Sequence, residues 1–292
     1  MAKQGVYCAI IGADGASVGE PDDGLFPLWS FGKTLLATAA LRLVDQGLLT
    51  LDTTLPGKPY TLRQLLQHTS GVDTYGVAHG YHEAVARGDT PWSRDELIER
   101  VGQTLLFEPG AGWSYSNIGY LFIRELVEET VGAPISVAVG DLVFDPLEVG
   151  SLSFAENKSD LSRSVWGNAA GYDPGWVYHG LFLGDPRDAA RLMREILCGS
   201  LLPTALKQPM QTPRPLGGPL PGRPWTETGY GLGLMIGKME GANCVMGHNG
   251  NGPGSICLVH HYPGAAGRTI ALFAQGDDEG RLEREALGRA IA

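Results

Sequence analysis

Cysteine, lysine, net positive charge and long apolar runs are all scarce in this 292-residue sequence. Its four cysteines, Cys8, Cys198, Cys244 and Cys257, are scattered, without a CxxC pair or a histidine at metal-ligand spacing, so core thiols are expected and no metal. The adjacent His260 and His261 fall on a predicted strand and would face opposite ways, which is poor geometry for chelation. No apolar run approaches the length that spans a bilayer, and the short one from Val6 to Ile11 suits a strand better than a signal peptide. A soluble, cytoplasmic chain without a membrane partner is therefore expected. The formal net charge of -10, with a pI near 5.1, argues against nucleic acid or an anionic lipid surface as a partner.

What is present is enough for a sizeable core. With 43% hydrophobic and 18% charged residues, the chain can form one large α/β domain or two intimate lobes. Residues 5 to 11 read as a strand. Residues 34 to 46 read as an amphipathic helix with Leu35, Leu36, Ala39, Ala40, Leu43 and Val44 on one stripe, stopped by Gly47. Helical patterns dominate from about 60 to 200: TLRQLLQH, a Ser93/Glu96 capping box before LIERVGQTL, GYLFIRELVEETVG, and Asp185 with Pro186 ahead of RDAARLMREILCG. The weakly periodic interval 151–184 reads as a long loop. A linker-like stretch, TPRPLGGPLPGRPW, precedes strand-like runs YGLGLMIG, NCVMGH, SICLVHHY and RTIALFAQ, and a last helix, GRLEREALGRAIA. Strands at both ends with helices between predict an α/β (α+β) fold. Its antiparallel sheet would come from residues 1–58 and 200–292, flanked by helices, with a mostly helical lobe inserted over 59–199 and the active site between them.

Lys33 stands at the head of the first long helix, in SFGKT. The GKT string resembles the end of a phosphate-binding loop, but position 27, where that loop needs Gly, is Pro27, which lacks an amide hydrogen. A lysine on the helix surface is the plainest alternative. The third reading pairs Lys33 with Ser30 as SxxK, one helical turn apart and on one face. Two further strings follow in order, YSN at 115–117 and HNG at 248–250. SxxK, YxN and HxG together resemble the three active-site motifs of the serine β-lactamase and penicillin-binding-protein superfamily, in its class C-like branch. The flanks WSFGKTLLATAALRLVDQGLLTLD, LRQLLQHTSGV, FEPGAGWSYSNIGY, HGLFLGDPRDAARLM and GYGLGLMI look similar too, so the resemblance runs from about residue 25 to 275.

The resemblance implies a β-lactamase/transpeptidase-like fold and a serine hydrolase that needs no cofactor, working through an acyl-enzyme on Ser30. Lys33 and Tyr115 are both candidates for the base, and each would need its pKa tuned by the other. Asn117 would offer its amide to Lys33 and the substrate's acyl side. His248, Asn249, Gly250 and Asn251 would line the cleft: Gly250 admitting a substrate backbone, the amides of Ser30 and Asn251 forming the oxyanion hole, and His248 replacing the Lys found in many relatives. A group titrating near neutrality at that position weakens recognition of a β-lactam carboxylate. Small esters or amides are thus the expected substrates, with lactams turned over weakly. A class C-type β-lactamase, a D-alanyl-D-alanine carboxypeptidase and a non-catalytic scaffold remain open. Trp29, Tyr75, Trp113, Trp176 and Trp225 could shape an aromatic pocket, although each has packing as its plainer role. Only 29 residues precede Ser30, which predicts a more open cleft than in larger relatives.

Overall fold

The computed structural model describes residues 5–168 and 171–292. Its strands, in chain order, are β1 (Tyr7–Ile11), β2 (Phe26–Pro27), β3 (Ser153–Phe154), β4 (Phe182–Gly184), β5 (Arg214–Gly217), β6 (Trp225–Tyr230), β7 (Met235–Met239), β8 (Ala242–Gly252), β9 (Ser255–Tyr262) and β10 (Arg268–Gln275). Seven form one antiparallel sheet in the order β1-β10-β9-β8-β7-β6-β5, so the first strand of the chain pairs with the last, Ala9 opposite Ala271. The other three form a small sheet, β2-β4-β3.

Alternation sets the faces of the large sheet. Ile256, Leu258, Ile270 and Leu272 point one way, against Leu282, Ala286 and Leu287 of the terminal helix, here α4 (Glu279–Ile291). Cys257, Val259, Ala271 and Phe273 point the other way into the main core. His260 accordingly lies against Trp225, and His261 on the opposite face near Cys198, as their adjacency predicts.

The helix after Ser30, α1 (Gly32–Asp45), differs from the expected one-striped surface helix. Lys33, Thr34, Ala37, Thr38 and Leu41 are buried along with most of the predicted stripe, because α2 (Asn117–Val131), the helical segment over 135–144 and the Gly231–Leu234 turn enclose α1. Its polar residues are satisfied internally: Thr34 donates to the Gly233 carbonyl at 2.7 Å and Thr38 to the Thr34 carbonyl at 2.8 Å. Helix α3 (Pro186–Cys198), capped by Asp185 as read, packs on β1, β9 and β10. The interval 59–199 therefore supplies part of the sheet's covering layer as well as helices away from it.

Other readings need correction. YGLGLMIG is two strands joined by a turn at Gly231–Leu234, closed by Gly231 donating to the Leu234 carbonyl. The linker-like Pro/Gly stretch contains the edge strand β5, bulged between Pro215 and Gly217, a position where proline's missing amide is tolerated. Ser93 caps its helix, but Glu96 pairs with Arg100 rather than completing a box. Within 151–184, β3 and β4 build most of the small sheet, and residues 169–170 lie outside the described residues. Among the described residues no single helix is long and apolar enough to cross a membrane.

The terminal helix is pinned by a buried carboxylate. Glu283 is fully buried and accepts from Trp225 Nε1 at 2.7 Å, Asn249 Nδ2 at 2.8 Å and Arg223 Nε at 2.8 Å. Replacing it by Leu strands all three donors and is expected to cost about 3 kcal/mol in unfolding free energy, measured by urea titration. A loss below about 1 kcal/mol would show that this network does not hold α4 in place.

Candidate active site

The site begins with a strained residue. Trp29 has a φ of +41°, a left-handed conformation costing on the order of 1–3 kcal/mol for a bulky side chain. Its surroundings hold it there. The indole Nε1 donates to Ser255 Oγ at 3.0 Å, and the ring lies edge-on to Tyr172 and flat on β8. A Cβ added at Gly252 would fall 2.3 Å from the indole, and one at Gly250 would lie 2.7 Å from the Leu28 carbonyl. Gly250 thus admits the turn that carries Ser30, where a substrate backbone was expected, and it is not among the residues walling the cavity. The turn sets Ser30 at the head of α1, on the wall of a cavity of about 890 Å³.

Lys33 is wholly buried one turn on. Its Nζ lies 3.2 Å from Ser30 Oγ and 3.2 Å from Nε2 of His179, with the rings of Tyr115 and Tyr120 at 5.0 and 5.7 Å. Burial pushes the amine well below the usual lysine range, toward its neutral form. Tyr115 shares the cavity wall with Ser30, its ring 5.0 Å from the Lys33 amine, and burial drives the phenol's pKa up even though the nearby Ser30 hydroxyl opposes that shift. A neutral amine beside a hydroxyl can take its proton, whereas a phenol held protonated can give one.

Ser116 caps α2, leaving Asn117 as its first residue. Asn117 lines the cavity, yet its amide donates to Thr74 Oγ1 at 3.2 Å instead of reaching Lys33. His248, on β8, meets the Tyr230 hydroxyl at 2.9 Å through Nε2. Burial, then the neighbouring Lys33 charge, lowers it to about 3, so it is neutral where a group titrating near neutrality was expected. Asn249 donates to Glu279 at 2.9 Å and to Glu283, while Asn251 reaches Glu279 at 3.3 Å. Of the expected aromatic pocket only Trp113 lines this cavity, joined by Tyr115 and Tyr230. Trp29, Tyr75, Trp176 and Trp225 pack elsewhere.

Sequence reasoning missed several neighbours. His179 and His68 both lie inside quoted flanks, HGLFLGDP and LRQLLQHTSGV, but neither had a visible partner. His68 takes the Ser116 backbone hydrogen on Nδ1 at 3.0 Å, under the rings of Tyr115 and Tyr230. Arg223 and Glu279 line the cavity from far-separated segments and pair at 3.0 Å. Among the described residues no three His, Cys, Asp or Glu side chains gather as metal ligands.

The Beta-lactamase family model matches residues 4–292. The chain belongs to the Beta-lactamase family. Among curated relatives, Esterase EstB of Burkholderia gladioli is 32% identical over 154 residues, covering 46% of this chain and 39% of the relative. Penicillin-binding protein 4* of Bacillus subtilis is 30% identical over 135 residues, covering 42% and 29%. The matched stretches thus span less than half of either relative. Among solved Beta-lactamase-fold structures, a D-stereospecific amidohydrolase from Streptomyces sp. superposes with a TM-score of 0.77 at 25% identity, covering 95% of this chain and 91% of that one. The D-amino acid amidase of Ochrobactrum anthropi SV3 superposes with a TM-score of 0.80 at 21% identity, covering 98% and 94%. Both share the mixed α/β architecture built on an antiparallel sheet.

In this member of the family the buried imidazoles make stability acid-sensitive. His248 and His260 are lowered to about 3 and His261 to about 4 by burial, and His68 and His179 well below the ordinary 6.5. Between the folded and unfolded values only the unfolded chain binds these protons, so stability is intact above pH 6.5 and falls as pH drops below it. Each such imidazole contributes a loss of about 1.4 kcal/mol per pH unit. Urea denaturation at pH 7 and pH 5 is expected to show a marked drop in midpoint, and an unchanged midpoint would refute neutral burial.

Proposed function

We propose that the protein is a serine hydrolase that forms an acyl-enzyme on Ser30. The observation that carries this reading is the buried Lys33 amine 3.2 Å from the Ser30 hydroxyl, with Ser30 and Tyr115 on the wall of one cavity and the Tyr115 ring 5.0 Å from that amine. Lys33 takes the serine proton as Oγ attacks the substrate carbonyl, because burial favours its neutral form. Tyr115 keeps its proton in the resting site and delivers it to the leaving group, recovering one from the Lys33 ammonium. The backbone amides of Ser30 and Asn251 hold the developing oxyanion. Beyond its last pair with β7, Gly247 opposite Met235, β8 is paired with β9 alone among the described strands, which leaves the edge carrying the cavity-lining Asn251 open to a substrate. Water then hydrolyses the acyl-enzyme.

Small uncharged esters or amides are the proposed substrates, in line with the esterase and amidase relatives. A carboxylate finds no permanent charge at His248. Of the two arginines on the cavity wall, Arg223 is committed to Glu279 and Glu283, and Arg214, on the edge strand, bonds the Gly110 carbonyl. A two-lobed division near 1–58 plus 200–292 and 59–199 remains the proposed organisation.

A fluorophosphonate probe is expected to add one adduct to the wild type, seen by intact mass, and none to Ser30→Ala. Absence of any adduct across several fluorophosphonates and penicillins would favour a scaffold instead. Tyr115→Phe should fold normally and lose about 100-fold or more in kcat on a primary amide or an alkyl ester, whose leaving group must be protonated, since only the phenolic oxygen is removed. Unchanged turnover of those substrates removes Tyr115 from the mechanism. The kcat/KM for the neutral ester p-nitrophenyl acetate should exceed the value for the carboxylate-bearing nitrocefin by about 100-fold, and the reverse order would refute the proposed charge selection.

A further inference from the structure

The proposed role of Lys33 as base leaves one question about the amine: what points its single lone pair at Ser30. A neutral amine carries two hydrogens and one lone pair, and unless a hydrogen is held elsewhere the group rotates freely. Asn117, expected to hold it, is turned to Thr74. We infer that His179 is the positioning residue, its Nε2 accepting a hydrogen from Lys33 Nζ at 3.2 Å and so directing the lone pair onto Ser30 Oγ.

Three observations carry this. Both partners are buried, Lys33 completely and His179 to within 2% exposure, so water does not compete for the contact. His179 is neutral and therefore able to accept, because burial, then Lys33, His248 and Arg124, oppose its protonation. Finally, the backbone that carries it is registered to the nucleophile. His179 lies just before β4, which pairs with β2 as Leu183 opposite Pro27, and the Phe182 carbonyl accepts from Leu28 N at 2.9 Å. The small sheet therefore fixes the approach to Ser30 and the approach to His179 against each other. Arg124 reinforces it by donating to the Tyr178 carbonyl at 3.3 Å.

The arrangement serves both halves of the reaction. When the Ser30 proton moves to Lys33, the O–H bond breaks, an N–H bond forms, and the ammonium keeps donating to the same imidazole nitrogen. His179 neither gains nor loses a proton. This requires the tautomer with its hydrogen on Nδ1 and none on Nε2.

The test combines spectroscopy with rates of fluorophosphonate labelling, which read Ser30 nucleophilicity directly. In the wild type, 15N-labelled histidine is expected to show His179 with a bare Nε2 at pH 7. His179→Leu should slow labelling about 10- to 100-fold, as befits one lost hydrogen bond to an ionising group, and His179→Gln, whose Oε1 can stand in for Nε2, should recover most of the rate. Lys33→Ala is the control: normal labelling there would sink the base role of Lys33 itself. If Lys33→Ala is inert while His179→Leu labels at the wild-type rate, only the His179 inference falls. It falls equally if the Gln variant is as slow as the Leu variant with both melting near the wild type. Should His179→Leu not fold, a hydrogen found on Nε2 in the wild type overturns the inference and a bare Nε2 supports it.

Discussion

A lysine amine sealed from water is the constraint around which this fold is arranged. A lysine side chain with no exposed surface either pairs with a carboxylate or gives up its proton, since the uncompensated charge would cost several kcal/mol. Among the described residues no carboxylate meets Lys33: its hydrogen-bonding neighbours are a serine and an imidazole, and aromatic rings close the remaining sides. The surroundings thus select the neutral amine, which is also the chemically useful form. The same logic explains why α1 is buried nearly all round. A helix with one face in water would rehydrate the amine and restore its ordinary pKa.

Placing Ser30 at the head of that helix has a structural cost, and the cost is visible at Trp29. A bulky residue in the left-handed region persists only where its neighbours leave no alternative. Here β8 yields to it: Gly250 and Gly252 lack the Cβ atoms that would collide with Leu28 and the indole. Two glycines spaced by two on one strand face remove the obstruction on one side of β8, while Asn249 and Asn251 on the alternate positions engage α4. One strand therefore seats the turn that carries Ser30 and anchors the terminal helix at once. The HNG string reads in this light as packing geometry as much as substrate contact.

The sheet and its major helices were legible in the sequence because period and capping are local. Asp185 with Pro186, Gly47 and the alternation of SICLVHHY and RTIALFAQ all act where they stand. Ser30, Lys33 and Tyr115 were legible through ordered motifs, and the structure brings them together. What did not show was whatever depends on burial from distant segments. A lysine near a helix start reads alike whether its helix is exposed or enclosed, and the enclosure of α1 by α2 and the segment over 135–144 is a tertiary fact. His179 was invisible for the same reason: 146 residues separate it from Lys33, and nothing within its own segment marks it as an acceptor. The edge strand β5 was missed because proline and glycine signal a loop unless a bulge at a sheet edge accommodates them.

Charge along the cavity wall follows from those same burial relations. His248 stays neutral chiefly because its buried surroundings do not solvate an imidazolium, with Lys33 opposing its protonation second. Restoring a lysine at that position would meet the same objection, and it would also lose the bond to the Tyr230 hydroxyl. At the opposite end, Arg223 is balanced by two carboxylates, one of them fully buried and held by Trp225 and Asn249. That trio carries one net negative charge and cannot be recruited by an incoming carboxylate without breaking the contacts that hold α4. The wall is thus neutral to acidic near Asn249 and Asn251 for structural reasons, and the proposed preference for uncharged acyl compounds rests on the packing of the terminal helix rather than on a dedicated specificity residue.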